Sequence, residues 1–211
     1  MAENVRELFV EAARVVEAAL ADDSVASAWD APSILEDQLV GGLAGHLARG
    51  GVWVVDDYLD ADIPDAPYAH SAAEYYARAT SFLSPDDHRQ IRERGAQIAA
   101  LGHREVCEMV SSRLDALEVR LGNEPADRLL GVAGGATVLP LDAYLETRII
   151  EQVVHLDDLA RSVGREPWPV PEDAESLVIH VGIEIGRVRH GATEVIRCLY
   201  RSRLDPVLPV V

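Results

Sequence analysis

LDAYLETRIIEQVVHLDDLARSVG, running from Leu141 to Gly164, decides how this chain is to be read. At 3.6 residues per turn it forms one helix of about six turns, with Pro140 ahead of it, Asp142 as its cap and Gly164 as its stop. Leu145, Ile149, Val153, Leu156 and Ala160 make a continuous apolar stripe. Along the edge of that stripe runs a second line: Tyr144, Arg148, Glu151, His155, Asp158 and Ser162. Glu151 and His155 are four residues apart, so both project to one side, one turn above the other. A carboxylate and an imidazole so placed can grip one metal ion. The same spacing also gives an ordinary surface contact, and a protein metal site needs a third ligand from elsewhere.

Composition narrows the search for it. The chain has 211 residues and 48% hydrophobic content, which suits one sizeable core rather than disorder. Aromatic content is only 5%, while Ala, Leu and Val abound, favouring packed helices over a β-sandwich. Net charge is −17, and every basic residue is Arg. Phosphate backbones and anionic membranes would repel such a chain, which argues against nucleic acid and membrane partners. No apolar run approaches the roughly 18 residues of a bilayer span. The N-terminus, MAENVRELFVEAARVVEAAL, has acidic residues and no cleavable signal pattern, so a cytoplasmic protein is expected. Cys107 and Cys198 lie outside any CxxC pattern and read as reduced packing residues.

Outward from the central helix, Asn4 to Ala21 reads as a first amphipathic helix. Ser33-Ile-Leu-Glu36 reads as a capping box that opens a second helix toward Asp60. On that helix Leu39, Leu43, His46, Leu47, Trp53 and Val54 recur at three- and four-residue steps, placing His46 in the apolar stripe. Gly41, Gly42 and Gly45 surround it, at a cost of about 1 kcal/mol each relative to Ala, which implies close backbone approach. A lone histidine on such a face is often a core residue with one hydrogen bond. Arg49 follows one turn on, at the edge. Ser71-Ala-Ala-Glu74 opens a short helix through Phe82, and Ser84-Pro-Asp-Asp87 a long one to about Leu121, with Leu101 among its inward residues. Gly122 to Pro140 reads as the longest non-helical stretch, a Gly-rich wall for a site, and no segment carries a strand signal. His70, His88 and His103 are left as solvent or packing residues. A stiff Pro-rich linker follows Gly164, then helix from Glu172 to His190 and a short helix from Thr193 to about Arg203.

TRIIEQVVHLDDLARSVG and WDAPSILEDQLVGGLAGHLARG resemble two helices of the mycothiol-dependent maleylpyruvate isomerase family, a branch of the DinB-like metal-binding helical bundles. The resemblance covers roughly residues 1–165. It implies an all-α fold, a DinB-like antiparallel four-helix bundle over 1–165; residues 166–211, read from their own pattern, add a short helical extension expected to pack on it. The resemblance also implies a divalent metal held by His46, Glu151 and His155. Two imidazoles and a carboxylate form the ligand set of an open zinc site, and the same set suits non-haem Fe(II). Arg148, Asp158 and Arg49 are the candidates for orienting those ligands or holding an anionic substrate.

The implied chemistry is thiol transfer or isomerisation. Mycothiol, deprotonated at the metal, attacks an electrophilic small molecule. The isomerases carry a further mixed α/β domain, whereas residues 166–211 here read as helix, so generic S-transfer is the safer expectation than maleylpyruvate turnover. The contrasting reading is a non-enzymatic metal-binding or ligand-sensing helical protein. Either would act as a monomer or homodimer.

Overall fold

The computed structural model describes residues 4–79 and 85–201. In chain order it contains α1 (Val5–Leu20), α2 (Asp23–Ser27), α3 (Val40–His46), a π-helical segment (Leu47–Trp53) and α4 (Val54–Leu59). There follow α5 (Ala72–Ala79), α6 (Pro85–Ala99), α7 (His103–Asn123), strands β1 (Leu129–Val132) and β2 (Thr137–Pro140), α8 (Leu141–Ser162), α9 (Glu172–His190) and α10 (Ala192–Tyr200). The protein is mostly helical, with one two-stranded sheet among the described residues.

The helix read from Leu141 is α8, and it is the spine of the core. Its C-terminal half packs Leu156, Leu159 and Ala160 with Val16 and Leu20 of α1, Leu43 of α3, Leu47 and Val110 of α7. Its N-terminal half packs Leu145 and Ile149 with Phe9 of α1, Leu117 and Leu121 of α7, and Leu130 and Leu139 of the strands. A third cluster joins Tyr76 of α5 and Ile150 of α8 to Val181 and Ile185 of α9. Gly164 ends the helix as expected, at φ 68 just past its C-cap. Asp142 does not cap it. Pro140 occupies the cap position, and Asp142 in the first turn accepts a 2.8 Å bond from Arg6 instead.

Three expectations are corrected by local chemistry. The second helix begins at Val40, not at Ser33. Ser33 turns its hydroxyl onto Leu35, Asp37 takes a left-handed φ of 57, and a Pro32–Leu39 bridge closes the stretch as a loop. The long helix from Ser84 breaks into α6 and α7 at Gly102, whose φ of 95 no ordinary side chain favours. Leu101 beside that break is 54% exposed, not inward. The Gly-rich stretch is a hairpin: β1 and β2 are antiparallel, with Leu130 opposite Leu139 and Val132 opposite Thr137. Its strands are four residues each, too short for alternation to show, and its turn uses Gly134 and Gly135 at φ 67 and 88. Phe82, Ser84 and Arg203 lie outside the described residues.

The glycines of α3 do serve close approach. A Cβ on Gly45 would stand 2.3 Å from the Gly95 carbonyl oxygen of α6, and one on Gly95 would stand 2.5 Å from that of Gly42. The two helices therefore touch backbone to backbone. Gly45→Ala should destabilise the fold by ~1–3 kcal/mol, because the obstructing atom is backbone and cannot rotate away. Gly122→Ala in α7, where a Cβ meets nothing, should instead gain up to ~1 kcal/mol of helix propensity. Melting temperatures moving in opposite directions check this. If both rise, the α3–α6 contact is loose.

Candidate metal centre

His46 is the last residue of α3, and Glu151 and His155 sit one turn apart on α8. The fold brings all three together. Glu151 Oε2 lies 3.2 Å from His46 Nε2 and 3.5 Å from His155 Nε2, and the imidazole rings meet edge to face at 4.9 Å. One ligand atom from each lies within 4.8 Å of the others. Donors placed ~2.1 Å from a tetrahedral ion stand about 3.4 Å apart, so these spacings fit a divalent metal with little rearrangement. All three side chains are about one-fifth exposed, so the trio borders solvent without lying on open surface.

The surroundings set each donor's chemistry. His155 Nδ1 faces Asp158 Oδ2 at 3.0 Å, which commits that nitrogen to the carboxylate and leaves Nε2 turned toward Glu151 and His46. Burial works against a charge on His155, but Asp158 and Glu151 outweigh it and lift its pKa to about 9. Burial would likewise raise Glu151. Hydrogen bonds with His155 and His46, and the charge of Arg148, outweigh that and hold it well below the usual carboxylate range. Its other oxygen, Oε1, accepts from the Tyr76 hydroxyl at 3.1 Å. Burial, with Glu151 alongside, holds that phenol well above its ordinary pKa, so it stays a donor.

Arg148 is 8% exposed. Its Nε donates to Thr147, its Nη1 to the Gly50 carbonyl at 2.8 Å, and its Nη2 lies 3.9 Å from Glu151 Oε1. The guanidinium also covers the Tyr144 ring at 4.7 Å. Gln152, fully buried, donates to the Gly51 carbonyl at 2.7 Å. These two carbonyls belong to the π-helical segment. Residues on either side of Glu151 thus hold the widened turn directly after His46. Gly50 fits the same place: a Cβ there would stand 3.3 Å from the His46 ring.

Of the residues singled out from sequence, His46, Glu151, His155, Arg148 and Asp158 converge. Arg49 does not join their contacts; it pairs with Asp57 at 3.5 Å. The hairpin turn borders Pro64 and Tyr58, at the N-terminal end of α8, ten residues or ~15 Å of helix before Glu151. Tyr76 and Gln152 were not singled out. Tyr76 sits on α5, outside any ligand spacing, and Gln152 is an amide within an apolar run; neither carries a local signal. His103 is a packing residue, its Nε2 2.7 Å from the Leu20 carbonyl at the end of α1. Cys107 lies 3.6 Å from it, and burial pushes that thiol up, which disfavours its thiolate.

No described helix is long and apolar enough to cross a membrane. Residues 5–160 match the family model for the mycothiol maleylpyruvate isomerase N-terminal domain. No curated protein and no solved structure matches the chain.

Proposed function

The chain belongs to the mycothiol maleylpyruvate isomerase N-terminal domain family, and from that membership we propose that it is a metal-dependent enzyme that adds a low-molecular-weight thiol, mycothiol, to an electrophilic small molecule. In this reading α1, the α3–α4 helix, α7 and α8 are the four-helix bundle of DinB-like proteins, with the α3–α4 helix and α7 parallel to each other rather than antiparallel, since α3 packs on the start of α7 and α4 on its end. His46, Glu151 and His155 hold a divalent ion, zinc by ligand preference. The ion's contribution when bound is to keep a thiol deprotonated at neutral pH. The residues around it do the rest. Asp158 fixes the His155 ring, Tyr76 orients Glu151, and Arg148 with Gln152 positions the helix that bears His46. Whether the thiol stays on the product or leaves again separates transferase from isomerase.

The observation that carries this reading is the donor trio at 3.2 and 3.5 Å, with His155 Nδ1 already committed to Asp158. Adding mycothiol to Co(II)-substituted protein should produce a sulfur-to-metal charge-transfer band. Its absence, with no consumption of mycothiol in the presence of monochlorobimane, would favour a non-enzymatic metal-binding or ligand-sensing protein.

A further inference from the structure

The loop ahead of α3 carries a feature that the metal trio does not use. Residues Pro32 to Leu39 line an open, solvent-facing cavity of about 410 Å³. The loop is closed on itself, with Ser33 N donating to the Gln38 carbonyl at 2.9 Å and Pro32 bridged to Leu39. It is also tied to the helix that bears Glu151 and His155, because Ile34 N donates to Ser162 Oγ at 3.0 Å. The Ser162 hydroxyl in turn donates to the Asp158 carbonyl at 2.6 Å, and the Asp158 carboxylate holds His155. Glu151, His155, Asp158 and Ser162 follow one another at steps of four, three and four, so they share a face of α8.

The other helix gives the same distance. Leu39 lies seven residues before His46, and Ser162 seven residues after His155, an axial rise of ~10 Å in each case. The cavity is therefore displaced from the donor trio by ~10 Å along the shared face. Leu39, Gly42 and His46 also fall on one side of α3, at steps of three and four. Where Gly42 has no side chain, Gln38 lies over it, 3.4 Å from where a Cβ would stand. Gln38, which lines the cavity, thus also borders Gly42, one turn before His46.

The chemistry of the loop is specific. Glu36 and Asp37 are exposed, Gln38 and Ser33 half-buried, and Ile34 and Leu39 present apolar surface at 40% and 49% exposure. Carboxylate and amide acceptors beside small apolar faces suit sugar and cyclitol rings, which offer hydroxyl donors on their rims and C–H groups on their faces. They do not suit an anion. We propose that this cavity takes the neutral, hydroxyl-rich half of the thiol cosubstrate, with Gln38 and Glu36 as its polar contacts. We also propose that Glu36 and Asp37 disfavour thiols with carboxylates, such as glutathione. This inference rests on the thiol reading above and adds where the rest of the thiol binds and why one thiol is preferred.

Calorimetric titration of the zinc-loaded full chain separates the two. Three probes are used: mycothiol, glutathione, and N-acetylcysteine methyl ester, a neutral thiol with no rings. Wild type should bind mycothiol more tightly than the ester. Gln38→Ala and Glu36→Ala should each weaken mycothiol by about tenfold, as for the loss of one good hydrogen bond, while leaving the ester unchanged. Glu36→Gln with Asp37→Asn should strengthen glutathione several-fold. Glu36 and Asp37 are exposed and Gln38 half-buried, and unchanged melting curves verify that each variant folds. Mycothiol binding that ignores both alanine variants, or that equals the ester in wild type, overturns the assignment of the cavity and leaves thiol binding standing. Failure of all three thiols to bind wild type overturns the thiol reading itself, and this assignment with it.

Discussion

His155→Ala is expected to strip the protein of its metal. Wild type purified without chelator should carry up to one divalent ion per chain, and the variant should carry close to none. Outer residues that merely orient a metal ligand typically change affinity by 10–100-fold, so removing a ligand should cost at least ~100-fold. Glu151 and His46 would remain 3.2 Å apart, a pair with too few donors to retain a divalent ion against buffer. His88→Ala, at an exposed position of α6, is the control and should keep its metal. Elemental analysis of the three proteins decides the matter. Equal metal in wild type and His155→Ala would reduce the trio to an ordinary ion-pair cluster.

Metal affinity should also climb with pH over a wider range than an ordinary imidazole allows. In the metal-free protein His155 stays protonated to about pH 9. A metal ion must displace that proton, so apparent affinity should rise about tenfold per pH unit from pH 6 and level off near pH 9. At pH 7, binding should release about one proton per ion, measurable by calorimetry in buffers of different ionisation enthalpy. Sequence alone, with His155 at its ordinary pKa, would place the plateau near 6.5. A profile flat above that value would show that Asp158 and Glu151 do not hold the proton.

The same shift has a sign for the metal-free fold. A raised histidine pKa contributes stability that is fully present below ~6.5 and lost as pH rises through 9. The depressed Glu151 pKa contributes stability present above ~4.5 and lost on acidification. Metal-free protein should therefore melt at lower temperature at pH 9 than at 6.5, and metal should remove that dependence.

The helices with strong period were legible in the sequence. Asn4 to Ala21 and Leu141 to Gly164 fold where their stripes say, and so do Glu172 to His190. Site residues on α8 were legible for the same reason, since Glu151, His155 and Asp158 share a face by spacing alone. What failed was punctuation. Ser33 and Glu36 carry a capping-box pattern, but a left-handed Asp37 ends any helix there before it starts. Gly102 reads as one more helix residue until its φ is known. Leu130 and Leu139 face each other in strands too short to announce themselves, and only their burial against α8 explains them. Tyr76 reaches Glu151 across 75 residues of chain, a pairing that no local pattern encodes.

The widened segment from Leu47 to Trp53 makes the length of its helix a fixed quantity. Upstream, Val40, Leu43 and Ala44 pack into one cluster; downstream, Val54, Val55 and Leu59 pack into another. Removing a single residue between them would restore a regular helix with better backbone bonding. It would also turn everything past the cut by about 100° relative to His46. The hairpin-side cluster and the metal ligand would then compete for azimuth, and one of them would have to face the wrong way. By helix propensity alone the shortened chain is the better sequence. The shortened chain would nonetheless carry the Gly50 and Gly51 carbonyls out of register with Arg148 and Gln152, which reach across to them from α8.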